Sequence, residues 1–154
     1  MNPGTIDDNP AVRDIHNSLV VEASAGTGKT KTLIDRILYL VTNERSPVRL
    51  CSIAAITFTE KAAGEMKVRL RQELEELTAQ GGPVAELARQ ALVDLETAAI
   101  STIHSFAVGL LKKRPVDAGL DPRFSAMDET QSAFLFDEVW ERWLDQALRE
   151  RRRP

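Results

Sequence analysis

Ser18-Leu19-Val20-Val21-Glu22-Ala23-Ser24-Ala25-Gly26-Thr27-Gly28-Lys29-Thr30 decides how this chain reads. A short β-branched run leads into small residues, ends in Gly-Lys-Thr and gives way to helical periodicity. That order suits a phosphate-binding loop. The strand fixes where the loop starts, residues without bulk let successive backbone N–H groups curl inward, and the helix that follows adds the positive end of its dipole. Ala23, Ser24, Ala25, Gly26, Thr27, Gly28, Lys29 and Thr30 are therefore the expected triphosphate cradle. Lys29 is expected to reach the β- and γ-phosphates and the Thr30 hydroxyl to ligate Mg²⁺, which makes these two the candidate catalytic residues. The usual pattern opens with glycine where this chain has Ala23, and an alanine there asks only for the ordinary backbone of a strand end.

Outward from the loop, Leu33, Ile34, Ile37, Leu38, Leu40 and Val41 recur at helical spacing until Asn43 to Pro47 stops the helix. Ile53 to Thr59 predicts a second strand, apolar or β-prone nearly throughout, as suits a parallel sheet covered on both faces. Glu60 to Gln80 predicts a helix with Met66, Leu70, Leu74 and Leu77 as its buried stripe. Gly81-Gly82-Pro83 breaks it, and a further amphipathic helix is expected from Val84 to Leu95. A third strand is expected from Ala98 to Ile103, then a helix from His104 to Leu111 closed by Lys112-Lys113-Arg114-Pro115. Val116 to Asp128, with Gly119 and Pro122 as breakers, reads as loop. Phe136, Val139, Trp140, Trp143, Leu144, Ala147 and Leu148 mark a last amphipathic helix. Three strand–helix units predict an α/β fold with right-handed crossovers.

The 154 residues, with 43% hydrophobic and 28% charged content, fit one soluble domain with a real core. No apolar run approaches the roughly 18 residues that span a bilayer, and the first residues lack a signal-peptide layout, so no membrane partner is expected. The single cysteine, Cys51, lies among apolar neighbours and is expected to be a buried thiol in a reducing cytoplasm. A net charge of −3 leaves nucleic-acid binding to the local placement of Lys and Arg.

With the second and third strands read beside the loop, the chain resembles the UvrD/Rep-type superfamily 1 DNA helicases. Ala23 to Thr30 is similar to the family's first motif, which often opens with alanine. Thr57-Phe58-Thr59-Glu60-Lys61-Ala62-Ala63-Gly64-Glu65-Met66 resembles the next, a strand-to-helix junction that touches single-stranded DNA, and Thr102-Ile103-His104-Ser105-Phe106 resembles a third on the DNA side. Glu22 with Ser24 leans toward the RecB/AddA branch. The resemblance implies a P-loop, RecA-like parallel sheet with flanking helices. It also implies ATP and Mg²⁺ as cofactors, and a motor of repair or recombination that moves along one DNA strand and separates duplex. Thr57, Phe58, Thr59, Lys61, Thr102, His104 and Ser105 are the DNA-binding residues it implies. Hydroxyls and the imidazole suit phosphate contact without sequence readout, and Phe58 and Phe106 offer faces for base stacking. Phe58 reads equally as strand core, Phe106 as core, His104 as a histidine holding the strand end, and one of Thr57 and Thr59 as a helix cap.

The family reads adenine partly through a glutamine upstream of the loop, and this chain has none before Gln72. Asp7 and Asp8 can accept from the adenine amino group but cannot donate to a ring nitrogen, so other triphosphates stay open. ATP hydrolysis also needs a strand-borne carboxylate for Mg²⁺ and arginines for developing charge. Ala133-Phe134-Leu135-Phe136-Asp137-Glu138 imitates such a strand, but its apolar residues continue at a 3.6-residue period, which predicts helix with Asp137 and Glu138 solvated. The expected layout is an incomplete motor domain over residues 1–125 and the first helix of a helical subdomain over 126–154. The remainder of the helicase chain and a nuclease are expected as partners. Such a piece alone is expected not to hydrolyse ATP usefully and to expose an apolar sheet edge that favours self-association. Two rivals stand beside this reading: a complete small P-loop NTPase or kinase using Asp137, and a non-catalytic nucleotide- or DNA-binding module. Lys112-Lys113-Arg114 is the more plausible phosphate patch, and Arg149 to Arg153 reads as a solvated helix end.

Overall fold

The computed structural model describes residues 9–22 and 28–151. The chain divides into two compact units, Met1–Ala107 and Val108–Pro154. The first unit holds the sheet. Strand β1 (Ala54–Thr57) pairs in parallel with β2 (Ala99–Thr102), in the register Ala54↔Ala99 through Thr57↔Thr102. Parallel neighbours need a crossover, which two helices supply: α3 (Glu60–Ala79) and α4 (Gly82–Leu95). Between them Gly81 and Gly82 take φ of 76° and 81°, the left-handed region open to glycine, and Pro83 starts the next helix without needing its missing N–H.

The core forms where three helical stripes meet. Helix α2 (Lys29–Thr42) contributes Ile34, Ile37, Leu38 and Val41, α3 contributes Met66, Leu70 and Leu74, and α4 contributes Ala88, Ala91 and Leu95; Leu50, Ala98 and Ile100 close the cluster. The alanines of α4 let it approach α3 closely enough for Leu70 and Leu74 to be fully enclosed. Asp94 ties this helix to the approach to β1. It accepts two bonds from the Arg49 guanidinium at 2.6 and 2.8 Å and one from Gln90 at 3.3 Å. The forked pair holds the Asp94 carboxyl down at about 2 despite its burial. On the far side of α2, the single turn α1 (Pro10–Arg13) is capped by Asn9, buries Val12, and is held by Arg36 donating to the Ala11 carbonyl at 2.8 Å.

Three expectations are corrected here. Residues 18–22 form no strand: Leu19, Val20 and Val21 are 40%, 92% and 51% exposed, and no third strand exists among the described residues. A β-branched run gains strand geometry only from a neighbour that takes its N–H and C=O groups, and among the described residues none pairs with this one. The sheet is covered on one face, not both, because Ala54 and Ile56 of β1 face outward while Ala55 and Thr57 are half-buried. Cys51 is exposed, since a 3₁₀ turn at Leu50–Ser52 buries Leu50 and turns the thiol out.

Helix α5 (Ile103–Lys113) leaves β2 directly. In the second unit, α6 (Glu129–Arg151) opens with a reciprocal cap: the Asp128 carboxylate accepts from the Gln131 amide at 2.8 Å, and the Gln131 side chain accepts from the Asp128 amide at 3.2 Å. Phe134 to Glu138 lie inside this helix with Asp137 exposed, and Glu138 pairs with Arg142 at 2.6 Å one turn on. The 3.6-residue period therefore decides that segment, and Asp137 does not sit at a strand end. Phe136, Trp140 and Trp143 stack along the helix with ring centroids 6.4 and 5.1 Å apart. No helix of the described residues is long and apolar enough to cross a membrane.

Candidate nucleotide and nucleic-acid interface

In parallel sheets the carboxyl ends of the strands are where ligands are met. Here those ends are Thr57 and Thr102, which are registered partners, and a helix starts just beyond each. After Thr57 the chain turns sharply. The Thr57 hydroxyl donates to the Thr59 carbonyl at 3.0 Å, and the Thr59 hydroxyl caps α3 by accepting from the Ala62 amide at 3.1 Å. Both threonines thus shape the turn. Thr59 uses a lone pair for its cap and keeps its hydroxyl proton, whereas Thr57 has directed its proton at the backbone. The turn pushes Phe58 wholly into solvent, at 101% exposure, which removes the core reading of this residue. Across the strand ends Ile103 is also exposed, so two apolar side chains stand one residue beyond the Thr57–Thr102 pair. Lys61 and His104 are exposed in the first turns of α3 and α5, and Phe106 is half-buried.

The two junctions are joined by a residue that the sequence did not single out. Glu60 Oε1 accepts from the Ser105 hydroxyl at 2.8 Å and from the Thr102 hydroxyl at 2.9 Å, and Thr102 Oγ1 accepts from the Ser105 amide at 3.2 Å. Those bonds, Ser105 first, hold the Glu60 carboxyl below the usual glutamate range, with a smaller contribution from Lys67. The hydroxyls of Thr102 and Ser105 therefore aim at a carboxylate. The only sequence hint was an acid at the first position of α3, which reads as a dipole-matched helix start rather than a partner for residues 42 and 45 positions away.

At the other candidate site, Gly28 stands before α2 at φ 87° and ψ 18°, and as a glycine it has no side chain with which to cap this helix start. A Cβ at Gly28 would meet nothing within 4 Å, so the backbone conformation itself selects glycine. Lys29 and Thr30 occupy the first turn and are exposed. Ala23, Ser24, Ala25, Gly26 and Thr27 lie outside the described residues, as do Asp7 and Asp8. A helix start without its own cap, carrying Lys and Thr in the first turn, fits a magnesium-bound triphosphate in donor chemistry and charge.

A parallel strand pair with hydroxyl, aromatic and basic residues at its carboxyl ends, in one unit with a Gly-Lys-Thr helix start, marks the class as a mixed α/β domain with a small parallel sheet. Residues 5–153 match the UvrD/REP helicase N-terminal domain, and the chain belongs to that family. Among curated relatives it is similar to an ATP-dependent helicase/nuclease subunit of Listeria monocytogenes serotype 4b (strain F2365), 37% identical over 142 residues, covering 92% of this chain and 11% of that protein. The corresponding ATP-dependent helicase/nuclease protein of Moorella thermoacetica is 38% identical over 144 residues (94% and 10%), and that of Pelotomaculum thermopropionicum 41% identical over 128 residues (80% and 10%). The chain spans about a tenth of the length of these relatives.

Proposed function

We propose that this chain carries the ATP-binding element and the first single-stranded-DNA-contacting elements of an ATP-dependent DNA helicase of repair or recombination, of the helicase/nuclease kind. The observation that carries the reading is the left-handed glycine cap of α2 at Gly28, with Lys29 and Thr30 behind it, in a chain whose family is that of helicase N-terminal domains. Bound ATP with Mg²⁺ supplies the free energy that drives movement. The loop Ala23 to Gly28 would supply backbone amides to the phosphates, Lys29 would offset their charge, and the Thr30 hydroxyl would be the ligand for the cation. At the strand ends Phe58 stacks on a base, and Lys61, His104 and the Thr59 hydroxyl meet the phosphodiester backbone. Thr57, Thr102 and Ser105 border that surface.

Adjacency gives a route between the two sites, because α2 packs on α3, the helix that Thr59 begins. The inferred partners are the rest of a longer chain, a nuclease function and one further protein, in the cytoplasm where the DNA is. In the full-length protein Lys29→Ala is expected to lower DNA-stimulated ATP hydrolysis by at least about a hundredfold, from loss of a charge-assisted phosphate contact in a dry site. Turnover equal to that of the unmodified protein sinks the reading.

A further inference from the structure

We propose that Glu60 is a positioning residue for the DNA interface. Its carboxylate clasps the hydroxyls of Thr102 and Ser105, so that the starts of α3 and α5 present Phe58, Lys61 and His104 as one fixed surface. On this proposal Thr102 and Ser105 make no phosphate contact of their own. It deepens the DNA reading above and rests on it.

The geometry carries the assignment. The hydroxyls of Thr102 and Ser105 both lie within hydrogen-bonding distance of one oxygen, Glu60 Oε1, at 2.9 and 2.8 Å, and Thr102 Oγ1 lies 3.1 Å from Ser105 Oγ, so the three side chains close into one set on an oxygen that can only accept. The Ser105 amide, an orphan donor in the first turn of α5, is taken by Thr102 Oγ1 at 3.2 Å. A phosphate brought to Ser105 would therefore meet an ionised carboxylate within hydrogen-bonding distance of the same atom, and like charges repel. The surface favours phosphate elsewhere, at Lys61 and at the exposed His104. What the clasp provides is relative position. The strand ladder stops at Thr57↔Thr102, and beyond it nothing in the sheet fixes Phe58 and Lys61 relative to His104. The Glu60 bonds cross that gap.

The test is a double-mutant cycle in the full-length protein, reading affinity for a fluorescent oligodeoxythymidylate and hydrogen exchange at the Ser105 amide. Glu60→Ala is expected to weaken DNA binding about fivefold and to speed exchange at Ser105, and Ser105→Ala to weaken binding by a similar factor. The double variant is expected to bind no worse than Glu60→Ala alone, because both changes break one device. Glu60→Gln keeps a carbonyl acceptor and is expected to restore most of the affinity, which an electrostatic or merely global effect would not produce. If Glu60→Ala fails to fold, the cycle of Glu60→Asp, whose shorter side chain draws the carboxylate away from both hydroxyls, with Ser105→Ala replaces it. The proposal is overturned if the two losses multiply, if Glu60→Gln binds DNA more tightly than the unmodified protein, or if Ser105 exchange does not change. Phe58→Ala separates the layers: full DNA affinity in that variant overturns the DNA reading, whereas normal weakening there with an unaltered Glu60→Ala overturns the clasp alone.

Discussion

Helices α2 and α3 begin from different residues, and their first turns are finished differently. At α3 the Thr59 side chain takes the Ala62 amide, so the helix satisfies its own start. At α2 the residue before the helix is Gly28, in the left-handed region, with no side chain to offer. A start that caps itself has fewer amides for a visitor; one that does not leaves them pointing at whatever anion arrives. The two starts thereby suit different work in the proposed function: one to stiffen a surface, the other to receive a charge.

The widest gap between the two should appear at Gly28. Gly28→Val forces a β-branched residue to φ near 87° and is expected to cost about 2 kcal/mol in urea unfolding, with nucleotide affinity falling as well. Full stability would mean that the turn relaxes and that the conformation is incidental. Arg49→Ala touches neither helix start and serves as the contrast. It is expected to lower stability near neutrality, by less than loss of a fully buried pair would, because water screens the half-exposed guanidinium. Its pH dependence has a defined sign. The Asp94 carboxyl is lowered from its ordinary 3.8 to about 2, so the pair's contribution is complete above the first value and lost as pH falls through the second. The stability difference between Arg49→Ala and the unmodified protein is expected to shrink over that interval, and a constant difference would show that the pair is not ionic in origin.

Next in size, Thr59→Ala removes the cap of α3 and is expected to cost about 1 kcal/mol while leaving nucleotide affinity unchanged. A matching loss at the nucleotide would blur the distinction between the two starts. Smallest is Lys61→Ala, expected to reduce the slope of log affinity for single-stranded DNA against log salt by about 0.7, the contribution of one phosphate. An unaltered slope removes Lys61 from the interface.

Periodicity made the helices readable. The stripe of Met66, Leu70 and Leu74 and the unbroken apolar period through Phe134 to Leu148 needed no knowledge of neighbours to be assigned. Strands and burial were less accessible, because they depend on what stands alongside. Val20 and Val21 have the residue chemistry of a strand and lack the partner, Cys51 has apolar neighbours and a turn that faces outward, and Phe58 passes from a would-be strand into full solvent because the ladder ends one residue earlier. The candidate site divides the same way. Gly28, Lys29, Thr59 and Lys61 announce themselves by local pattern, whereas the role of Glu60 exists only once Thr102 and Ser105 arrive from the second strand.

The chain has two tryptophans, Trp140 and Trp143, both on α6 and 49% and 56% exposed. Its intrinsic indole emission therefore arises from the second unit alone. An optical titration at the red edge of absorption reports any surface that comes to cover that helix, against a first unit that contributes no indole signal.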